Sequence, residues 1–146
     1  MSGRTLMAGL LVTLAIFGVA LWWFQTRAFY TEFTTDTITV AGAEIPVTGF
    51  QGIDANTSPI KLRACMTVNP EDFTNAPPAP NAVPLVAQSW FDCFNAKMLS
   101  RALDAGEAEA FLAASEEFDG TERIIAVYPD GRAFMWRQLT DEFASQ

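Results

Sequence analysis

Residues Leu6 to Phe24 read LMAGLLVTLAIFGVALWWF, nineteen positions with no charge and Thr13 as the one clearly polar side chain. At about 1.5 Å per residue such a run makes a helix of roughly 28 Å, the thickness of a bilayer's hydrocarbon core. This stretch constrains the rest of the chain, because whatever follows must fold beside it. A cleaved secretory signal has a shorter apolar stretch, followed by small residues at the cleavage site. Gly18-Val19-Ala20 offers such small residues, yet the apolar run continues through Leu21, Trp22, Trp23 and Phe24 before Gln25-Thr26-Arg27. Trp22, Trp23, Phe29 and Tyr30 then fall where an interfacial aromatic belt is expected. An anchor is the favoured reading, with residues 1–30 as a membrane segment that has a short cytoplasmic N-terminus. An unprocessed signal peptide is the alternative.

Flanking charge sets the expected orientation. Arg4 and the terminal amine precede the run and Arg27 follows it, so counting cations favours the N-terminus inside. In a bacterium this places residues 31–146 in the periplasm, held at the inner membrane. That stretch is long enough for one domain with its own core. From Ala28 onward there are seven Lys or Arg against seventeen Asp or Glu, a net charge of −10. Nucleic acid phosphates and anionic lipid surfaces repel a domain of this sign, so basic proteins or cations are the favoured partners and nucleic acid is not expected as one; the alternative is that the acidity only keeps the domain soluble.

Cys65 and Cys93 are the only cysteines. An even pair in an extracytoplasmic domain reads as a disulfide, and closing a loop of this length would add roughly 3 to 4 kcal/mol. Two separate buried thiols are the alternative.

The pattern along the chain predicts an α+β fold. Thr34 to Val40 is rich in β-branched residues, Ala41-Gly42 offers a turn, and Glu44 to Phe50 completes a first hairpin. Ile60 to Val68 alternates, with Ile60, Leu62, Ala64, Met66 and Val68 on one face and Lys61, Arg63, Cys65 and Thr67 on the other. Cys65 thus lies on the polar face, so a helix must cover that face or a bulge must turn the cysteine if it is to reach Cys93. Asn69 to Pro84 holds five of the eight prolines and reads as an extended surface loop. Helices are expected over Gln88 to Leu103 and Glu107 to Phe118. Arg123 to Tyr128 and Ala133 to Leu139 flank Pro129-Asp130-Gly131-Arg132, a strong hairpin signal. The expected order is βββααββ, a mostly antiparallel sheet with two helices on one face.

The chemistry legible in the chain is mostly exclusion. The chain has no histidine, which removes Ser-His-Asp and Cys-His catalysis, histidine-ligated haem, the usual catalytic zinc sites and phosphohistidine relay. It also lacks GxxxxGK[ST], GxGxxG, GxSxG and CxxC. No catalytic, metal or cofactor residues are therefore nominated, and the expectation is a protein that is not an enzyme and carries no cofactor. Asp54-Ala55-Asn56-Thr57-Ser58 has the spacing that opens a calcium loop, but Pro59 and Cys65 stand where glycine and glutamate are required. A capped turn fits better. Glu116, Glu117, Asp119 and Glu122 could gather a cation around Gly120, against the simpler reading of a solvated helix end. Trp90, Phe91 and Phe94 could form a binding surface or belong to the core. Lys61 and Arg63 could meet an anion, or be solvated or paired internally. On the membrane helix, Ala8, Leu11, Ala15, Gly18 and Trp22 recur at spacings of three and four, a stripe that would let a partner helix approach closely.

Three stretches carry a family resemblance: SPIKLRACMTV from Ser58, SWFDCFNAKMLSRALDAGEAEAFL from Ser89 and IIAVYPDGRAFMWRQL from Ile124. Together with the N-terminal anchor they resemble an uncharacterised family of bacterial single-pass membrane proteins, some of which carry a histidine-kinase label. The resemblance implies an anchored extracytoplasmic domain and no established activity. The missing histidine and kinase signatures disagree with that label. The leading expectation is a non-catalytic accessory or assembly subunit of a larger membrane complex. By analogy that complex would be an energy-converting one, respiratory or photosynthetic. Its partners would be integral membrane subunits, the lipid bilayer and a basic soluble protein. A membrane-anchored binding or sensor module is the alternative, and an enzyme using carboxylates or serine alone ranks last.

Overall fold

A computed structural model describes residues 1–146. The chain forms two compact units, Met1–Tyr30 and Thr31–Gln146.

The first unit is a helix, α1 (Gly3–Thr26), long and apolar enough to cross a membrane. Ser2 caps it by accepting from the Thr5 amide. Its large apolar side chains between Leu6 and Phe24 are 50% to 71% exposed, and none of its residues is buried. The hydroxyls of Thr13 and Thr26 donate to the carbonyls of Gly9 at 2.9 Å and Trp22 at 2.7 Å. Each thus satisfies itself within the helix.

The second unit is built on an antiparallel sheet of six strands in the order β1-β4-β5-β8-β7-β6. These are β1 (Tyr30–Phe33), β4 (Thr48–Ala55), β5 (Arg63–Thr67), β6 (Glu109–Ser115), β7 (Thr121–Val127) and β8 (Arg132–Leu139). A separate hairpin of β2 (Thr37–Val40) and β3 (Ala43–Pro46) lies against one face. There Ile38, Val40 and Ile45 pack with Met66, Ile125 and Met135. Its turn has φ of 49° at Ala41 and 85° at Gly42, the primed geometry that matches strand twist. The opposite face carries α2 (Ala96–Asp104) and the segment before it, with Phe94, Leu99 and Ala102 packed on Ile124, Phe134 and Trp136. A short α3 (Asp141–Ala144) ends the chain.

The hairpin at Pro129-Asp130-Gly131 forms as predicted, joining β7 to β8. Cys65 and Cys93 are bridged, with Cα atoms 6.2 Å apart. Cys65 does lie on the side of β5 opposite Met66, and that side is covered by α2 and its approach, so no bulge is needed to turn it.

Several expectations are corrected. Glu107 to Phe118 is not a helix: its core is β6, paired with β7 from Glu109↔Val127 to Ser115↔Glu122. Local helix propensity is overridden because both faces of β6 are covered, Phe111 and Ala113 by the hairpin side and Ala108, Ala110 and Leu112 by the α2 side. The helix expected from Gln88 starts only at Ala96, where the Asn95 side chain accepts from the Met98 amide. The stretch Glu44 to Phe50 divides between β3 and β4 at Pro46-Val47, and the strand around Ile60 to Val68 is confined to Arg63–Thr67. The element order is therefore eight strands and three helices rather than βββααββ, with α2 on one face of the sheet and the β2–β3 hairpin on the other. The proline-rich loop is partly structured, with a 3-10 turn at Pro70–Phe73 that buries Phe73 and a bridge from Pro78 to Phe111 on the edge of β6.

Two predictions follow from these contacts. Replacing Cys65 and Cys93 together by alanine should lower the domain's unfolding free energy by about 3 kcal/mol, read from a shifted denaturant midpoint of the detergent-solubilised chain. Gly131 has φ of +94°, and a Cβ there would lie 2.7 Å from the Val68 carbonyl oxygen, whereas Gly106 at φ +73° faces open space. Gly131→Ala should therefore cost about 3 kcal/mol and Gly106→Ala about 1 kcal/mol by the same measurement.

Candidate functional site

Of the four carboxylates nominated around Gly120, Glu116, Glu117 and Glu122 are tied into the framework. Arg123 on β7 pairs across from Arg137 on β8, and two adjacent guanidiniums need an anion between them. Glu117 supplies it, with one oxygen 3.2 Å from Arg123 and the other 2.9 Å from Arg137. Arg137 also holds Asp54 at 3.1 Å. Arg123 donates to the Thr39 carbonyl at 2.9 Å, fastening the β2–β3 hairpin to the sheet. Burial pulls the Arg123 guanidinium below its ordinary pKa, and Glu117 opposes that shift. Glu116 accepts from the Gly120 amide at 3.2 Å, and Glu122 from Gln138 at 2.8 Å. Glu116, Glu117 and Asp119 lie at the β6–β7 turn and Glu122 on β7, not at a helix end. No three metal-ligating side chains gather anywhere in the chain. Asp54 is the last polar residue of β4, and its other oxygen accepts from the Ala55 amide at 2.8 Å, so Asp54 to Ser58 is a strand end and turn.

Arg63 is 6% exposed and works as an internal clamp. It donates to the carbonyls of Leu85 at 3.0 Å, Val86 at 3.2 Å, Ile60 at 2.8 Å and Leu62 at 2.6 Å. Lys61 donates to the Thr57 hydroxyl at 3.0 Å. Of the aromatic trio, Phe94 is core, edge-on to Phe134 and Trp136 at 6.2 Å each. Trp90 and Phe91 are half-buried and line an open groove of about 590 Å³ with Phe33, Gln51 and Cys93.

A second groove, of about 480 Å³, runs beside α2. The helix turns Ala96, Leu99 and Ala102 into the core and leaves Lys97, Met98 and Arg101 outward. The β7–β8 turn brings Tyr128 and Arg132 alongside. Asp130 orders that turn: it accepts from the Arg132 amide at 3.1 Å and from its guanidinium at 2.9 Å, contacts that hold its carboxyl below the usual range. The Arg132 guanidinium then lies over the Tyr128 ring, 4.3 Å from its centroid. Tyr128 is 6% exposed, and its hydroxyl has no hydrogen-bond partner. An unmet buried hydroxyl costs about 1–3 kcal/mol. Burial pushes the phenol pKa up, against the pull of Arg132 and with help from Glu107 and Asp130. The group therefore stays protonated, a donor in search of an acceptor.

Sequence reasoning singled out none of these groove residues. Lys97 and Arg101, four apart on one helix face, were a readable half of the signal; Tyr128 and Arg132 join them only through the fold. The stripe Ala8, Leu11, Ala15, Gly18 and Trp22 lies on α1 and is not buried by any part of the chain, and a Cβ at Gly18 would meet nothing within 4 Å.

Comparison with known proteins finds no match among curated proteins and none among solved structures. A family profile does match, over residues 33–145, which takes in nearly all of the second unit. The chain belongs to that family, DUF6446, a family of unknown function.

Proposed function

We propose that this chain is a membrane-anchored accessory or assembly subunit of a larger membrane complex, its N-terminus cytoplasmic and its acidic domain on the periplasmic face. The observation that carries this reading is the pairing of an unburied apolar helix with a disulfide-closed domain. Fully removing one large apolar side chain from water is worth about 1.5–3 kcal/mol, so α1 with a dozen such groups exposed requires lipid or other helices around it. A disulfide persists in an oxidising compartment, which supports an outward-facing domain. The small-residue stripe gives α1 a face for another helix, where packing rather than hydrophobicity drives association. An energy-converting complex, respiratory or photosynthetic, is the partner favoured by analogy. Contact with a basic subunit or a basic soluble carrier follows from the domain's charge. A second reading, a membrane-anchored binding or sensor module, is favoured by the groove beside α2.

Purification from membranes in mild detergent tests the first reading. A stable set of integral membrane partners should remain bound, and Gly18→Ile should reduce their retention about tenfold, the equivalent of ~1.4 kcal/mol of helix packing, without changing the domain's melting temperature. Recovery as a lone monomer, even after cross-linking, would overturn it.

A further inference from the structure

The positive charge left over from the framework collects in one place. Of the seven Lys or Arg beyond Ala28, Arg63, Arg123 and Arg137 are spent on internal contacts, and Lys61 reaches the Thr57 hydroxyl. The other three, Lys97, Arg101 and Arg132, all line the groove beside α2. Lys97 and Arg101 take part in no ion pair of the chain, while Asp130 holds Arg132 in place over the Tyr128 ring. The one carboxylate in the groove lining is Glu107, and with the Asp130 carboxylate paired to Arg132 the charged groups there sum to +1. Tyr128 belongs to the same wall and brings the buried hydroxyl that no group in the chain meets. A strongly acidic domain repels anions in general, and a groove that gathers three cations and an unmet donor reverses that locally.

We infer that this groove binds a phosphate monoester, its dianion held by Lys97, Arg101 and Arg132 and drawing out the buried Tyr128 hydroxyl as a further donor. A phosphate monoester carries close to two negative charges at neutral pH and three terminal oxygens, one for each of the three cationic side chains, where a carboxylate offers two. Met98, Ala102 and Ala105 supply apolar surface for the ester's organic part. The inference deepens the binding-module reading and stands apart from the accessory-subunit one, since partner retention and ligand binding are measured separately.

The chain has two tyrosines, Tyr30 and Tyr128, so full-length protein labelled with carbon-13 at the tyrosine ring carbon bearing the hydroxyl gives two resonances, assigned by Tyr128→Phe. In phosphatidylcholine nanodiscs, titration with glycerol phosphate at constant ionic strength should shift the Tyr128 signal saturably and leave Tyr30 in place. Lys97→Gln combined with Arg101→Gln, both exposed positions, should weaken binding by about tenfold or more, and Tyr128→Phe, followed by calorimetry, by about fivefold. Acetate should bind more weakly than glycerol phosphate. If only nanodiscs containing phosphatidic acid give the shift, the same phosphate group comes from the bilayer and the inference stands. The inference is overturned if neither source gives a saturable shift, if acetate matches glycerol phosphate, or if the double variant binds as the parent does.

Discussion

Residues 74–95 contain no helix and no strand beyond a single bridge, yet they help close one face of a six-stranded sheet. Much else in the domain depends on how this irregular segment is held, because few of its backbone groups satisfy one another. Three fixtures beyond its bridge to β6 do it. Arg63 reaches from the centre of the sheet to the carbonyls of Leu85 and Val86. Gln138, itself 4% exposed, accepts from the Val83 amide at 2.8 Å and from the Trp136 indole at 3.0 Å, while donating to the Asn81 carbonyl at 2.9 Å. The disulfide then ties Cys93 to β5 just before α2 begins. With the segment pinned, α2 has a defined start, its outward face meets the β7–β8 turn, and the cationic groove exists.

The legible parts of the fold were those with a single buried face or a strong local signal. The β7–β8 hairpin announced itself through Pro-Asp-Gly between two apolar runs, and the membrane-length helix through its unbroken apolarity. The strand β6 was hidden for a physical reason: with both faces covered, its residues show no polar alternation, and Glu, Ala and Leu locally favour a helix. Arg63 was misleading in the same way. Its charge suggested a solvated strand face, whereas its planar guanidinium provides the several donors that a stack of unpaired carbonyls needs. The groove was the least legible feature, since Tyr128 and Arg132 lie some thirty residues beyond Lys97 and Arg101 in the chain.

Charge in this domain is sorted by role. Three arginines are drawn inward, where each joins elements that the backbone does not: Arg63 the sheet and the irregular segment, Arg123 the sheet and the hairpin, Arg137 the end of β4 and the β6–β7 turn. Most carboxylates are left at the surface. The outward field is thus more negative than composition alone conveys, and it is interrupted chiefly beside α2.

The bridge between Pro78 and Phe111 has a further consequence. A strand at the end of a sheet offers a row of unpaired amides and carbonyls to any neighbouring chain. Along β6 that row is occupied: the Leu112 amide donates to Pro77 at 2.8 Å and the Ala110 carbonyl accepts from Ala79 at 2.9 Å. The covering strip is rich in proline, which has no amide to offer onward, so the cover does not become a new edge. Wherever copies of the chain crowd together, an open flank would favour strand-to-strand stacking. A prolyl hem along β6 keeps such crowded neighbours from zipping together.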